Sequence, residues 1–219
     1  MVFKCVSRGV DVLPASIERT GNTDGQIEAV AFDLDGLMFN TEDIYNEVGA
    51  ELMGRRGLQI DPQLLRQMMG RPSSVALPLM IKWYGLSETV EQLESETNTV
   101  FQHLLHHRLE PMPGLLELLS ELDQRRIPKA ITTSSRRPYV ETVLELAQLE
   151  TEFAFVLSAE DVTEGKPAPE IYAKAAQRFG VAPRALMVLE DSEIGCRAAV
   201  AAEAFTVAVP GSHLSLIHI

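Results

Sequence analysis

Two aspartates, Asp33 and Asp35, sit two residues apart at the end of the apolar run Ile27-Glu28-Ala29-Val30-Ala31-Phe32, with Gly36 behind them. Such a run, ended by acids and glycine, reads as a buried strand. Open parallel sheets bind ligands beyond the carboxyl ends of their strands, so the two acids stand where chemistry is normally done. Asp and Gly also end strands for local hydrogen bonding alone, and an Asp-x-Asp-Gly string arises by chance in about one chain in twenty of this length. A second acidic pair, Glu190 and Asp191, ends the apolar stretch Ala185–Leu189. Adjacent carboxylates at a buried strand end repel each other and the first pair, because unpaired buried charge is costly. A hard cation with oxygen ligands, Mg²⁺ foremost, resolves that conflict. An N-cap role for the helix opening at Ser192 accounts for one of these acids but not for four converging carboxylates.

Two further positions add polar groups of the opposite kind. Thr133 closes Ala130-Ile131-Thr132-Thr133 ahead of Ser134-Ser135-Arg136. A hydroxyl and the backbone N–H groups after it, at a strand-to-helix turn, can hold phosphate oxygens or simply cap the helix. Lys166, in Glu164-Gly165-Lys166-Pro167, lies just before a helix and can set one positive charge over a phosphoryl group. The plain alternative is a solvated loop lysine.

The elements that must position these groups follow from periodicity. After the first strand, Ile44, Val48 and Leu52 recur every four residues, with Thr41 as N-cap and Glu42 and Asp43 in an acidic first turn. Helical patterns continue at Pro62–Met69, Ser73–Tyr84 and Ser87–Leu109, so residues 42–108 read as an all-helical insert. From Pro113-Gly114 onward, strands Lys129–Thr133, Phe153–Leu157, Leu186–Glu190 and Phe205–Val209 alternate with helices Leu115–Arg126, Pro138–Gln148, Pro169–Phe179 and Ser192–Ala202. That alternation predicts an α/β fold, a Rossmann-like parallel sheet of five strands built from residues 27–41 and 109–213. Residues 1–26 read as an extension without the apolar core of a signal peptide. The last six letters, Leu214–Ile219, match what one reading frame of a widely used sequencing-transposon end encodes; they read as a non-native tail without function, the plain alternative being a short natural tail.

Composition narrows the partners. The 219 residues carry 31 acids against 19 Lys and Arg, a formal charge of −12. That field repels phosphate polymers, and no basic stripe offsets it, so nucleic acid is not expected as a partner. No apolar run approaches the roughly 20 residues a bilayer span needs. Two cysteines, Cys5 and Cys196, are too few for a disulfide framework and fit no metal motif. The expectation is a cytoplasmic monomer acting on a small molecule. His103, His106 and His107 have the rough spacing of metal ligands without an acidic partner, and read as a solvated helix face.

Taken in order, Asp33-Leu34-Asp35-Gly36, Thr133, Gly165-Lys166-Pro167-Ala168-Pro169 and Glu190-Asp191-Ser192 followed by Gly195 resemble the motifs of the haloacid dehalogenase superfamily. The resemblance is to its β-phosphoglucomutase-like branch, which has a helical cap inserted after the first strand, and it covers about residues 27–210. Asn40 stands where many relatives carry Asp, and Glu203 where a helix-ending Gly is usual.

The resemblance implies that Asp33 attacks phosphorus and becomes phosphorylated, while Asp35 protonates the leaving oxygen and later deprotonates water. It implies Mg²⁺ held by Asp33, the main-chain carbonyl of Asp35 and Asp191, with Glu190 nearby or through water. Thr133, the Ser134 backbone and Lys166 then bind the phosphoryl group, and the cap acts as a lid, with Arg71 in Met69-Gly70-Arg71-Pro72-Ser73 a candidate for reaching a small phosphorylated metabolite or a plain loop arginine. Hydrolysis of a phosphomonoester is the function expected. A phosphomutase would use the same residues. A phosphoaccepting receiver domain fits the long insert poorly, dehalogenation fits the metal-suited acids poorly, and a non-catalytic remnant is the last alternative.

Overall fold

Ala29–Phe32 forms strand β1, all four side chains of which are buried. An unbroken apolar run of this kind suits a strand covered on both faces rather than one with a wet side. The computed structural model describes residues 26–68 and 73–209. The N-terminal extension before residue 26, Arg71, and the tail at Leu214–Ile219 therefore lie outside the described residues. The chain divides into two compact units: Asn40–Glu110, and the segments on either side of it, up to Phe39 and from Pro111. These bounds are two residues wider at each end than the insert read from periodicity.

The inner unit is helical: α1 (Thr41–Gly54), α2 (Pro62–Met68), α3 (Ser73–Tyr84) and α4 (Val90–Arg108). The expected stripe Ile44, Val48 and Leu52 is buried on α1, against a helix α4 that buries Leu93, Val100, Phe101 and Leu105. Tyr45 and Phe101 stack with ring centroids 4.5 Å apart. The N-cap of α1 is Asn40 rather than Thr41, and its side chain makes no capping bond. It joins the two ends of the unit instead. The Asn40 Nδ2 donates to the Arg108 carbonyl (2.9 Å) and its Oδ1 accepts from the Glu110 N–H (2.9 Å). The amide both donates and accepts there; an aspartate would lose the bond to Arg108. Helix α4 starts three residues later than Ser87 because Thr89 and Gln92 form a reciprocal capping box, a Thr-x-x-Gln signal present in the sequence.

The outer unit holds α5 (Leu115–Gln124), β2 (Lys129–Thr132), α6 (Arg137–Ala147), β3 (Val156–Leu157), α7 (Glu170–Phe179), β4 (Leu186–Glu190), α8 (Glu193–Ala201) and β5 (Phe205–Ala208). All five strands are parallel, in the order β3-β2-β1-β4-β5. The chain lays β1, β2 and β3 in one direction and returns to lay β4 and β5 in the other, so the order reverses between β1 and β4. That is the crevice in which open parallel sheets take ligands. Strand β3 is shorter than Phe153–Leu157, although Ala154 and Phe155 still exchange backbone hydrogen bonds with Lys129 and Ile131. On one face, Ile171, Tyr172, Ala175 and Ala176 of α7 and Ala198 and Ala199 of α8 pack in one cluster with Ala31, Leu186 and Val188. The alanines let these helices approach the sheet closely.

Glu203, at the end of α8, occupies the left-handed region with φ 58°. Its N–H bonds the Val200 carbonyl and the Ala204 N–H bonds that of Ala199, each at 3.0 Å, so the helix closes as it would on glycine. A non-glycine residue is strained there by about 1–2 kcal/mol, and the exposed contact of Glu203 with Arg184 at 3.8 Å offsets little of it. Glu203→Gly is expected to raise stability by up to about 1 kcal/mol after the larger unfolded-state entropy of glycine is counted. Urea unfolding checks this: a midpoint below that of the wild type contradicts it.

Candidate active site

The carboxyl ends of β1 and β4 bring the acids together. The Asp33 N–H donates to the Leu189 carbonyl at 3.1 Å, carrying the β1–β4 ladder one residue past the strand. This places its side chain beside Glu190 and Asp191. Asp33, Glu190 and Asp191 each offer a carboxylate oxygen, and the three oxygens lie within 4.8 Å of one another. All three residues are almost wholly buried.

Lys166 enters the same cluster from the loop before α7. Its side chain is 3% exposed, and its ammonium donates to Asp33 Oδ1 (2.5 Å), to Glu190 Oε1 and to the Thr132 carbonyl (3.0 Å). It also lies 5.2 Å from the centroid of the Tyr172 ring. The Tyr172 hydroxyl donates to Glu190 Oε1, while the Ser192 hydroxyl (2.9 Å) and N–H (3.3 Å) donate to Oε2. Glu190 thus anchors Lys166 with both oxygens engaged. The space for it exists because residue 195 is glycine: a Cβ there would lie 2.0 Å from the Glu190 carboxyl carbon.

Charge is unbalanced at this point. Burial pushes the Asp33 carboxyl well above its ordinary range; Lys166 opposes the rise, and Glu190, Asp191 and Asp35 add to it. Burial alone would lower the Lys166 ammonium, but Asp33, Tyr172 and Glu190 together outweigh it and raise it well above 10.5. Burial likewise pushes the Cys196 thiol to about 12, so it is an inert core group. One ammonium faces three carboxylates, all oxygen donors without sulfur or imidazole. This donor set and its negative excess fit a hard divalent cation.

Asp35 departs from the expected four-carboxylate convergence. Its side chain is not in the cluster of three: Oδ2 accepts from the Ser135 hydroxyl (2.6 Å) and Oδ1 from the Tyr139 hydroxyl (2.7 Å). The chain turns at the next residue, Gly36, with φ 76°. Thr133 is buried at the end of β2, its N–H bonding the Leu157 carbonyl at 3.0 Å and its hydroxyl accepting from the Ser135 N–H at 3.0 Å. It does not cap α6, whose N-cap is Arg136. Ser134 is exposed in the turn. Ser135, Tyr139 and Tyr172 were missed by sequence reasoning. Their one signal was spacing: Tyr139 follows Ser135 by four residues at a helix start, and Tyr172 follows Lys166 by six into α7.

The Lys166 loop is tied down by Glu170. Its Oε2 accepts from the N–H groups of Thr163 (2.9 Å) and Glu164 (2.8 Å), and its Oε1 from Lys174 (2.6 Å). The Lys174 bond and these backbone donors lower its pKa from 4.5 to about 2. The stabilisation is therefore complete above about pH 4.5 and is lost as pH falls toward 2. The difference in unfolding free energy between the wild type and Glu170→Gln should be flat above pH 4.5 and shrink below it; a difference that grows on acidification contradicts the assignment. For Gly195→Ala, overpacking against Glu190 should cost about 1–3 kcal/mol in chemical denaturation, and a neutral result would show that Glu190 is free to move.

The model of the haloacid dehalogenase-like hydrolase family matches residues 30–209. Among curated relatives, the phosphorylated carbohydrates phosphatase of Thermotoga maritima is 30% identical over 176 residues, covering 80% of this chain and 82% of the relative. The validoxylamine A 7'-phosphate phosphatase of Streptomyces hygroscopicus subsp. limoneus is 32% identical over 188 residues, covering 83% and 85%. A solved structure of a HAD family hydrolase from Deinococcus radiodurans, with bound phosphate and sodium, is 28% identical with a TM-score of 0.72, covering 83% of this chain and 80% of that one. Among the described residues no helix is long and apolar enough to cross a membrane. With a family model matching residues 30–209 and relatives at 30% and 32% identity over most of both chains, the chain belongs to the haloacid dehalogenase-like hydrolase family.

Proposed function

We propose that this chain is an Mg²⁺-dependent phosphatase of small phosphomonoesters, sugar phosphates or similar metabolites, working through an aspartyl-phosphate on Asp33. The observation that carries the reading is the position of the Asp33 carboxylate, which touches the Lys166 ammonium on one side and shares an acidic cluster with Asp191 and Glu190 on the other. The names of the relatives, a phosphorylated carbohydrates phosphatase and a fructose-1-phosphate phosphatase of Escherichia coli among them, supply the substrate class.

The roles follow from the two environments of the aspartates. An Asp33 oxygen attacks phosphorus and the bond from phosphorus to the ester oxygen breaks. Asp35, whose side chain is turned out of the acidic cluster, gives its proton to that leaving oxygen. Water then attacks the aspartyl-phosphate, Asp35 takes the proton, and Asp33 is regenerated as phosphate leaves. Lys166, the Thr133 hydroxyl and the Ser134 backbone offset charge on the phosphoryl oxygens. Mg²⁺, held by Asp33, Asp191 and the Asp35 carbonyl with Glu190 beside it, supplies further positive charge to the phosphoryl group when bound. General acid help contributes only about 10²–10⁴ of an acceleration that reaches about 10²¹ for phosphate monoesters. Charge and positioning must supply the remainder, which is the reason for a dry, anchored lysine.

Phosphate release from p-nitrophenyl phosphate and a panel of sugar phosphates tests the reading. Activity should require Mg²⁺, disappear with EDTA, and fall by about 10³-fold or more in Asp33→Ala, as expected for loss of a nucleophile. Activity that survives chelation or Asp33→Ala overturns it, and so does a dependence on a bisphosphate with no free phosphate released, which marks a mutase.

A further inference from the structure

We infer that Ser135 and Tyr139 are positioning residues that hold Asp35 in place for proton transfer. This rests on the phosphatase reading and adds to it two residues that none of the expected motifs contains. Each oxygen of Asp35 receives one hydroxyl, Oδ2 that of Ser135 at 2.6 Å and Oδ1 that of Tyr139 at 2.7 Å. Both donors stand on fixed backbone. The Ser135 N–H is bonded to Thr133 Oγ1, and its carbonyl accepts from the Ala159 N–H, each at 3.0 Å, tying the turn after β2 to the segment after β3. Tyr139 lies in the first turn of α6, where its own N–H bonds the Arg136 carbonyl at 3.1 Å. The two hydroxyls therefore fix the rotamer of Asp35 from a frame that the sheet itself supports.

The choice of hydroxyls has a chemical consequence. A residue that serves first as acid and then as base must be supported with and without its proton. Arginine or lysine in that place can only donate. A hydroxyl donates to the carboxylate and, by rotating, accepts from the protonated acid. Serine and tyrosine can therefore hold the same geometry in both states. They also hold the Asp35 carboxylate outside the cluster of Asp33, Glu190 and Asp191.

The test compares wild type, Tyr139→Phe, Ser135→Ala and the conservative Ser135→Thr on two leaving groups. An alkyl phosphate that the wild type hydrolyses must receive a proton on its leaving oxygen, whereas the nitrophenolate of p-nitrophenyl phosphate departs without one. Tyr139→Phe and Ser135→Ala should lower kcat on the alkyl phosphate at least about tenfold more than they lower the initial nitrophenolate burst, a part of the 10²–10⁴ that acid–base help supplies. KM should stay within about twofold of the wild type, and Ser135→Thr should recover most of the loss. Equal falls on both leaving groups, a KM effect alone, or unchanged kinetics overturn the proposal while leaving the phosphatase reading intact. A wild type that releases no phosphate from any ester overturns both. Should one variant fail to fold, the Ser135→Ala and Ser135→Thr pair or Tyr139→Phe decides the matter separately.

Discussion

An ammonium buried between two carboxylates governs the structure of this site. Taking Lys166, Asp33 and Glu190 out of water costs several kcal/mol per ion, and the cost is offset only where hydrogen bonds satisfy every proton and lone pair. The arrangement meets that demand: Lys166 donates to Asp33, Glu190 and the Thr132 carbonyl, and Glu190 receives Tyr172 and Ser192 besides. No buried side-chain nitrogen or oxygen is left without a hydrogen-bond partner among the described residues. The absence of a side chain at residue 195 and the close approach of α7 are both conditions for it.

The sheet supplies the remaining constraint. Carboxylates from β1 and β4 share a cluster because these strands are hydrogen-bonded neighbours at the place where strand order reverses. Strand β2 lies on the other side of β1, so its turn presents Thr133, Ser134 and Ser135 beside the same end of β1. Three adjacent strand ends thus deliver acids and hydroxyls to one region, with Lys166 added by a loop that Glu170 restrains. The interior strands are short, and the clustered acids stand at the last residue of β4 and the first residues beyond β1 and β4.

Separation of the two aspartates is the other organising feature. Asp33 continues the ladder of β1 and is packed among ions, whereas Asp35, just before the turn at Gly36, meets hydroxyls. Two identical side chains two residues apart therefore experience different surroundings. That difference in environment is what the proposed division of labour between a nucleophile and a proton carrier rests on.

Several features were legible in the residues alone. Apolar runs of four to five residues ended by acids marked β1 and β4, and the four-residue recurrence of Ile44, Val48 and Leu52 marked the buried face of α1. Both signals are local, since burial on one face or both leaves a period in the sequence. The motif order singled out Asp33, Asp35, Lys166, Glu190 and Asp191 as candidates, and all of them lie at the carboxyl end of the sheet or in the loop that reaches it. Tertiary structure alone decided that three carboxylates rather than four share the cluster, that Glu190 is an anchor for Lys166, and that Asn40 closes the ends of the helical unit instead of capping α1. It also decided the parts played by Ser135, Tyr139 and Tyr172, hydroxyls of a kind that occurs throughout any chain. Which hydroxyl meets which carboxylate depends on contacts between residues about 100 positions apart, such as Asp35 with Ser135, and no local period in a sequence encodes a distance of that kind.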